Sequence, residues 1–166
     1  MLLKSIEFKD FRCFRGDVKI DLACDATRNI IVVLGDNTHG KSTIIQAFAW
    51  CFYGVHNFAN PEIYNRAIAR ELATNEKTMP SVEVVFEHEG EQYTVRRTQE
   101  FTKAADGRMN SFNGTRFAMT YVEKSTGQTK RCGEYPSELN KAINNIIPKD
   151  LAPFFFFEGE KDNELT

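Results

Sequence analysis

The sequence predicts a mixed α/β fold, and three observations carry the prediction. A continuous β-branched run, Asn29–Leu34, leads straight into a glycine-rich turn and then an apolar helical stretch, Lys41–Tyr53. Apolar and polar residues alternate over Ser81–Glu87 and Gln92–Phe101, two runs joined across Glu89-Gly90, which is the pattern of an antiparallel hairpin. Near the end, Leu139, Ile143, Ile146 and Ile147 fall on one stripe of a helical period. The 166 residues are 42% hydrophobic and 27% charged, values ordinary for one globular domain or one lobe of a larger one.

Taken in chain order, Leu2–Phe8 alternates as a half-buried strand does, and a second strand is expected at Asp17–Leu22 after the Arg15-Gly16 turn. Asn29–Leu34 predicts a strand covered on both faces. The helix from Lys41 to Tyr53 is hydrophobic most of the way round, so it belongs in the interior, and Gly54 is a natural residue to end it. Ile63–Thr74 carries a second, more amphipathic helical pattern. After the hairpin, Lys103–Thr115 is polar with Gly and Asn and predicts a mobile loop. Phe117–Glu123 alternates again, and Ser125-Thr126-Gly127 turns the chain back toward Lys130. Pro136 opens a helix over Ser137–Ile147 and Pro148 stops it; Phe154–Phe157 predicts a final apolar strand.

Charge and cysteine usage narrow the function classes. A net charge of −2 argues against a free-standing, strongly basic nucleic-acid binder, although it leaves room for a local basic face. Cys13, Cys24, Cys51 and Cys132 are widely spaced, which fits reduced and mostly buried thiols better than a disulfide framework or a metal site. The alternating N-terminus is no secretory signal core and no segment reaches membrane-spanning length, so a cytoplasmic protein without membrane partners is expected. His39, His56 and His88 stand apart from clustered cysteines or carboxylates, and no nucleophile–base pair is evident.

Gly35-Asp36-Asn37-Thr38-His39-Gly40-Lys41-Ser42 fits the spacing Gly-(x)4-Gly-Lys-Ser/Thr. Glycines at the two ends let the backbone wrap an anion with its N–H groups turned inward. Lys41 brings a positive charge to the β- and γ-phosphates, and the Ser42 hydroxyl is suited to ligate Mg²⁺. The helix that begins here offers its unsatisfied N–H groups and positive dipole end to the same phosphates. Thr43 is placed to reach an α-phosphate oxygen, or simply occupies the first helical turn; His39 either touches phosphate or an opposing subunit, or is an exposed tip residue. The expected ligand is ATP with Mg²⁺, bound by Gly35, Asn37, Thr38, His39, Gly40, Lys41, Ser42 and Thr43.

The flanks of this loop add a resemblance. Phe8-Lys9-Asp10-Phe11-Arg12-Cys13-Phe14 is similar to the F-x-N-F-R-x-F opening strand of SMC-like ATPase heads. The loop with Thr43 resembles their G-x-N-G-x-G-K-S/T-S/T, and Ile45-Gln46-Ala47-Phe48 with Phe52-Tyr53-Gly54 resembles the L-x-A-I … L-Y-G helix that follows. Phe154-Phe155-Phe156-Phe157-Glu158-Gly159-Glu160-Lys161 resembles the F-F-F-D-G-E-K stretch of the DndD family, the SMC-like ATPases of bacterial DNA phosphorothioation systems, where it occupies the Q-loop position. Thr38 departs from the glycine usual in the loop, and Glu158 from the usual Gln or Asp.

The resemblance implies the N-terminal lobe of an ABC/SMC-type P-loop NTPase head spanning 1–166, with an antiparallel β block. The loop lies at 35–42 and the Q-loop-like segment at 154–161. It implies Arg12 as a phosphate or base contact, against the alternative of pairing with a surface carboxylate. It also implies Glu158 as a contact to Mg²⁺ or the attacking water, so that Lys41 and Glu158 carry the catalytic roles. The coiled coil, signature motif and Walker B acidic pair are expected in a C-terminal lobe of the same head, absent from these 166 residues. Partners would be that lobe, a second ATPase head joined in an ATP-dependent dimer, and DNA with other DNA-modification proteins. An SbcC-type DNA repair head, a nucleotide-binding assembly lobe without catalysis and a stand-alone P-loop kinase stay as alternatives. Arg96 and Arg97 fall on opposite faces of a strand, and both are expected to be solvated rather than to touch a DNA backbone.

Overall fold

The computed structural model describes residues 1–22, 25, 27, 30–34, 40–55, 58 and 60–155. In chain order the elements are β1 (Leu2–Lys9), β2 (Asp17–Asp21), α1 (Lys41–Tyr53), α2 (Arg66–Glu71), β3 (Lys77–Thr78), β4 (Ser81–His88) and β5 (Glu91–Thr98). They continue with β6 (Phe101–Lys103), β7 (Met109–Asn110), β8 (Arg116–Val122), β9 (Thr129–Arg131), α3 (Pro136–Ile146), a 3-10 turn (Lys149–Leu151) and α4 (Ala152–Phe155). Six strands form one antiparallel sheet in the order β2-β1-β4-β5-β8-β9, and a small second sheet runs β3-β6-β7. The mixed α/β class and its antiparallel block are as expected. No helix among the described residues is long and apolar enough to cross a membrane.

Register explains why one face of the large sheet becomes the core. Cross-strand partners share a face. Thus Val18, Phe8, Val82, Arg97 and Phe117 form one row, and Ile20, Ile6, Val84, Val95 and Met119 the next. The opposite face carries Glu7, Lys19, Glu83 and Arg96, with Lys19 Nζ 3.1 Å from Glu7 and Arg96 Nη1 3.8 Å from Glu83. The apolar rows are covered by α1, whose Ala47, Phe48, Trp50, Cys51 and Phe52 are buried. Phe52 meets Phe86 edge-on with centroids 6.0 Å apart, Phe11 packs on Trp50 at 5.2 Å, and Cys51 Sγ lies 3.4 and 3.5 Å from the carbonyls of Val82 and Val95. Burial raises the Cys51 thiol to about 12, so it stays protonated packing material. Amphipathic α3 adds Leu139 and Ile143 to the same core.

Local chemistry sets several boundaries. Glu89 and Gly90 have φ of 53° and 82°, the positive pair that a tight β4–β5 hairpin requires. Gly54 ends α1 in the left-handed region (φ 70°) with its N–H bonded to Trp50 O at 2.8 Å. Pro136 sits in the first turn of α3, and the Glu138 carboxylate reaches back to the N–H groups of Glu134 and Tyr135.

Six expectations are corrected. Ile30–Leu34 is not part of a sheet, and its side chains face solvent, Ile30 at 85% and Leu34 at 88% exposure. β-Branched propensity makes a strand only where a neighbour can complete the ladder, and both sheets among the described residues close without this segment. The helix predicted over Ile63–Thr74 shrinks to Arg66–Glu71. Ile63 is drawn into the core and Tyr64 bridges Phe11, leaving Asn65 as the N-cap. The polar stretch from Lys103 folds into ladder pairs Thr102↔Asn110 and Lys103↔Met109 across Asp106-Gly107, so Phe101 begins a separate strand and does not end β5. Ala152–Phe155 is a helical turn, with Pro153 early enough for its missing N–H to cost nothing, and Phe154 is 81% exposed; Phe156 and Phe157 lie outside the described residues. Among the thiols Cys51 is buried but Cys13 is exposed, and Cys24 lies outside the described residues.

Arg97 is the sixth correction. It does alternate with Arg96 across the strand, but it is buried at 6% exposure. Its Nε donates to Cys51 O at 3.0 Å, Nη2 to Phe52 O at 3.3 Å and Nη1 to Thr115 Oγ1 at 3.0 Å, and the guanidinium lies 4.3 Å from the Phe117 ring. It satisfies carbonyls at the negative end of α1. Replacing Arg97 by Ala leaves those carbonyls buried and unpaired. Urea unfolding should show a loss of about 2–3 kcal/mol, while Arg96→Ala shifts stability by under about 0.5 kcal/mol.

Candidate nucleotide site

Gly40 begins α1 with φ 94°, which an L-side chain rarely adopts. A Cβ there would also stand 2.7 Å from Cys13 Sγ. The glycine is thus required twice, by conformation and by the close approach of the β1–β2 connection. Among the described residues no side chain caps this helix end, and its first turn has no acidic residue. The first helical bond runs from Ile44 N–H to Gly40 O at 3.0 Å, so the amides ahead of it are not consumed by the helix. Lys41 and Thr43 are half-buried here and Ser42 is exposed. An anion suits this end by geometry, charge and the hydroxyls of Ser42 and Thr43. Gly35, Asn37, Thr38 and His39, with Asp36, lie outside the described residues, as does Glu158.

A cavity of about 420 Å³ opens beside this turn, lined by Arg12, Cys13, Thr43, Asn60, Asn65 and Arg66 among others. It brings Arg12 of the β1–β2 connection to the same place as Thr43 in the first turn of α1. Arg12 is held by backbone carbonyls and a ring, and not by a surface carboxylate. Its Nη1 donates to Asn60 O at 2.7 Å and Glu62 O at 2.6 Å, and its guanidinium stacks 4.1 Å over Phe58. Burial is the first cause that lowers the Arg12 pKa, and the neighbouring charge of Arg66 is the second. A cation anchored to carbonyls, with no carboxylate bonded to its guanidinium among these contacts, retains its charge for an incoming anion.

The rest of the lining comes from Glu62, Tyr64 and Asn65, the last two inside the stretch whose periodicity predicts helix. Glu62 accepts from Arg66 Nε at 2.9 Å and from Asn60 Nδ2 at 2.9 Å, and the Arg66 bond leads the causes that hold its carboxyl below the usual range. Tyr64 is pushed to about 12, chiefly by burial and then by its bond to Glu62. Asn65 caps α2 by accepting from Ala67 N–H at 3.0 Å and Ile68 N–H at 3.2 Å. The signal was present: an Asn ahead of Arg-Ala-Ile-Ala-Arg-Glu is a favoured N-cap.

A glycine-led helix start with Lys-Ser in its first turn, set on a mixed α/β lobe, defines a nucleotide-binding protein of the P-loop class. The chain matches the AAA domain family model over residues 5–165 and belongs to that family, the AAA-type ATPases found in SMC/SbcC-like proteins. Nucleotide binding, typically with Mg²⁺, and a generic ATPase function go with this membership. No curated protein matches the sequence.

Gly40→Ala adds a methyl group into Cys13 Sγ at a positive φ. It should abolish nucleotide binding and cost about 1 kcal/mol or more of stability. Cys13→Ala in the same chain should restore part of the stability by relieving the clash but not the backbone strain, read by thermal unfolding beside nucleotide titration.

Proposed function

We propose that this chain is the N-terminal lobe of an SMC-like ATPase head and binds Mg·ATP between the loop of Gly35–Ser42, Arg12 and Glu158. The single observation that supports it best is the convergence of Thr43, Cys13 and Arg12 on one cavity, with Cys13 also packed against Gly40 at the start of α1. In this reading Gly35, Asn37, Thr38, His39 and Gly40 wrap the phosphates with backbone N–H groups. Lys41 holds charge against the β- and γ-phosphates, and Thr43 faces the α-phosphate. Ser42 and Glu158 supply the oxygens that would hold Mg²⁺, which when bound neutralises phosphate charge as the terminal phosphoryl group departs. The chain's own contribution is electrostatic positioning, with Arg12 preorganised by the Asn60 and Glu62 carbonyls.

The family resemblance extends the proposal to partners. A C-terminal lobe of the same head would bring the Walker B acidic pair, and a second head would cap the nucleotide with its signature motif. The Phe154–Lys161 stretch favours a DndD-like ATPase of DNA phosphorothioation over an SbcC-type repair head. DNA and other DNA-modification proteins would be the wider partners.

Lys41→Ala should weaken Mg·ATP binding by at least about ten-fold, since it removes one charge-assisted contact, measured by calorimetric titration. Unchanged affinity would refute the proposed site. The 166-residue chain on its own should show negligible ATP turnover, rising when a C-terminal lobe is added in trans; robust turnover by the pure chain, lost in Lys41→Ala, would contradict the two-lobe reading.

A further inference from the structure

Asn65 is buried at 6% exposure and its side chain bonds in two directions. Its Oδ1 takes the Ala67 and Ile68 N–H groups, which fixes the amide orientation, and its Nδ2 donates to Arg12 O at 2.8 Å. Its own N–H donates to Asp10 O at 2.7 Å. The chain it grips is unusual. Asp10 and Arg12, neither of them glycine, have φ of 47° and 54°, a left-handed conformation that persists only where surroundings over-determine it. Asp10 is held from its other side by Gly16, through Asp10 N–H to Gly16 O at 3.1 Å and Gly16 N–H to Asp10 Oδ1 at 2.8 Å. Arg12 N–H is bonded to Ile63 O at 2.9 Å. The Arg12 carbonyl, whose direction sets the peptide leading into Cys13, has Asn65 Nδ2 as its partner.

We propose that Asn65 is a positioning residue for the nucleotide: by holding the Arg12 carbonyl it keeps Arg12 in the cavity and Cys13 against Gly40, where both line the site. The inference rests on the ATP-binding reading above. Helix capping alone needs only an acceptor, and Asp serves as well as Asn at an N-cap. Holding a carbonyl needs a donor, and only the amide supplies one. The two duties of one side chain are therefore separable by a single-atom change.

Asn65→Asp retains the cap of α2, removes the donor and sets a carboxylate oxygen against the Arg12 carbonyl. In the purified protein it should lower the thermal midpoint by only about a few degrees, leaving the chain folded at the assay temperature, and weaken Mg·ATP binding about ten-fold. In an Arg12→Ala background it should add less than about two-fold, because its effect runs through Arg12. Limited trypsin digestion read by mass spectrometry gives a nucleotide-free measure: cleavage after Arg12 should be faster in Asn65→Asp than in wild type. Wild-type affinity and unchanged cleavage in Asn65→Asp, with Lys41→Ala defective, would overturn the positioning role alone. Equally weak binding by wild type and Lys41→Ala would overturn the ATP reading and this inference together.

Discussion

The seating of α1 on the apolar face of the antiparallel sheet is the constraint from which the rest of the molecule follows. Three contacts define it. Trp50 rests on Phe11, Phe52 meets Phe86, and Arg97 from β5 hydrogen-bonds the last carbonyls of the helix. A helix fixed at its far end and along its length has its start fixed as well. The glycine-led turn at Gly40 is thereby held against Cys13, and Thr43 of the first turn lines the same cavity as Arg12. The buried guanidinium has no carboxylate partner among its described contacts. Its charge is offset by the helix carbonyls, the Thr115 hydroxyl and the Phe117 ring, which makes it a helix-terminus interaction carried by a β-strand.

The site itself is assembled from two connections, not from one element. The β1–β2 connection contributes Arg12 and Cys13, and the segment before α2 contributes Asn60, Glu62 and Asn65. They are sewn together by backbone bonds, Arg12 N–H to Ile63 O and Asn65 N–H to Asp10 O, and by the bridge between Phe11 and Tyr64. Phe11 is thus both a core residue and the pivot between the helix and the cavity wall. Strain at Asp10 and Arg12 is tolerated because so many bonds agree on it.

Ile30–Leu34 is the one apolar run among the described residues that the core does not absorb. Its composition is that of a strand buried on both faces, and such a strand needs neighbours on both edges. In the proposed two-lobe head those neighbours would come from the C-terminal lobe.

Much of this was legible in the chain itself. The sequence alone determined β1, β2, the β4–β5 hairpin, α1 with its Gly54 terminus and α3 with its proline start, because each rests on a local rule of periodicity, turn chemistry or capping. It also marked the phosphate loop, since those residue types at that spacing follow from what an anion requires, whereas Arg12 was singled out by the family resemblance alone. What it misjudged depended on distant neighbours. Ile63 looked like helix until the core claimed it, Arg97 looked solvated until a helix end needed a donor, and Ile30–Leu34 looked like a strand though neither described sheet pairs with it. Only the tertiary structure could decide these cases. Burial, ladder pairing and the satisfaction of a helix end are properties of which segments meet, and no window of sequence carries that information.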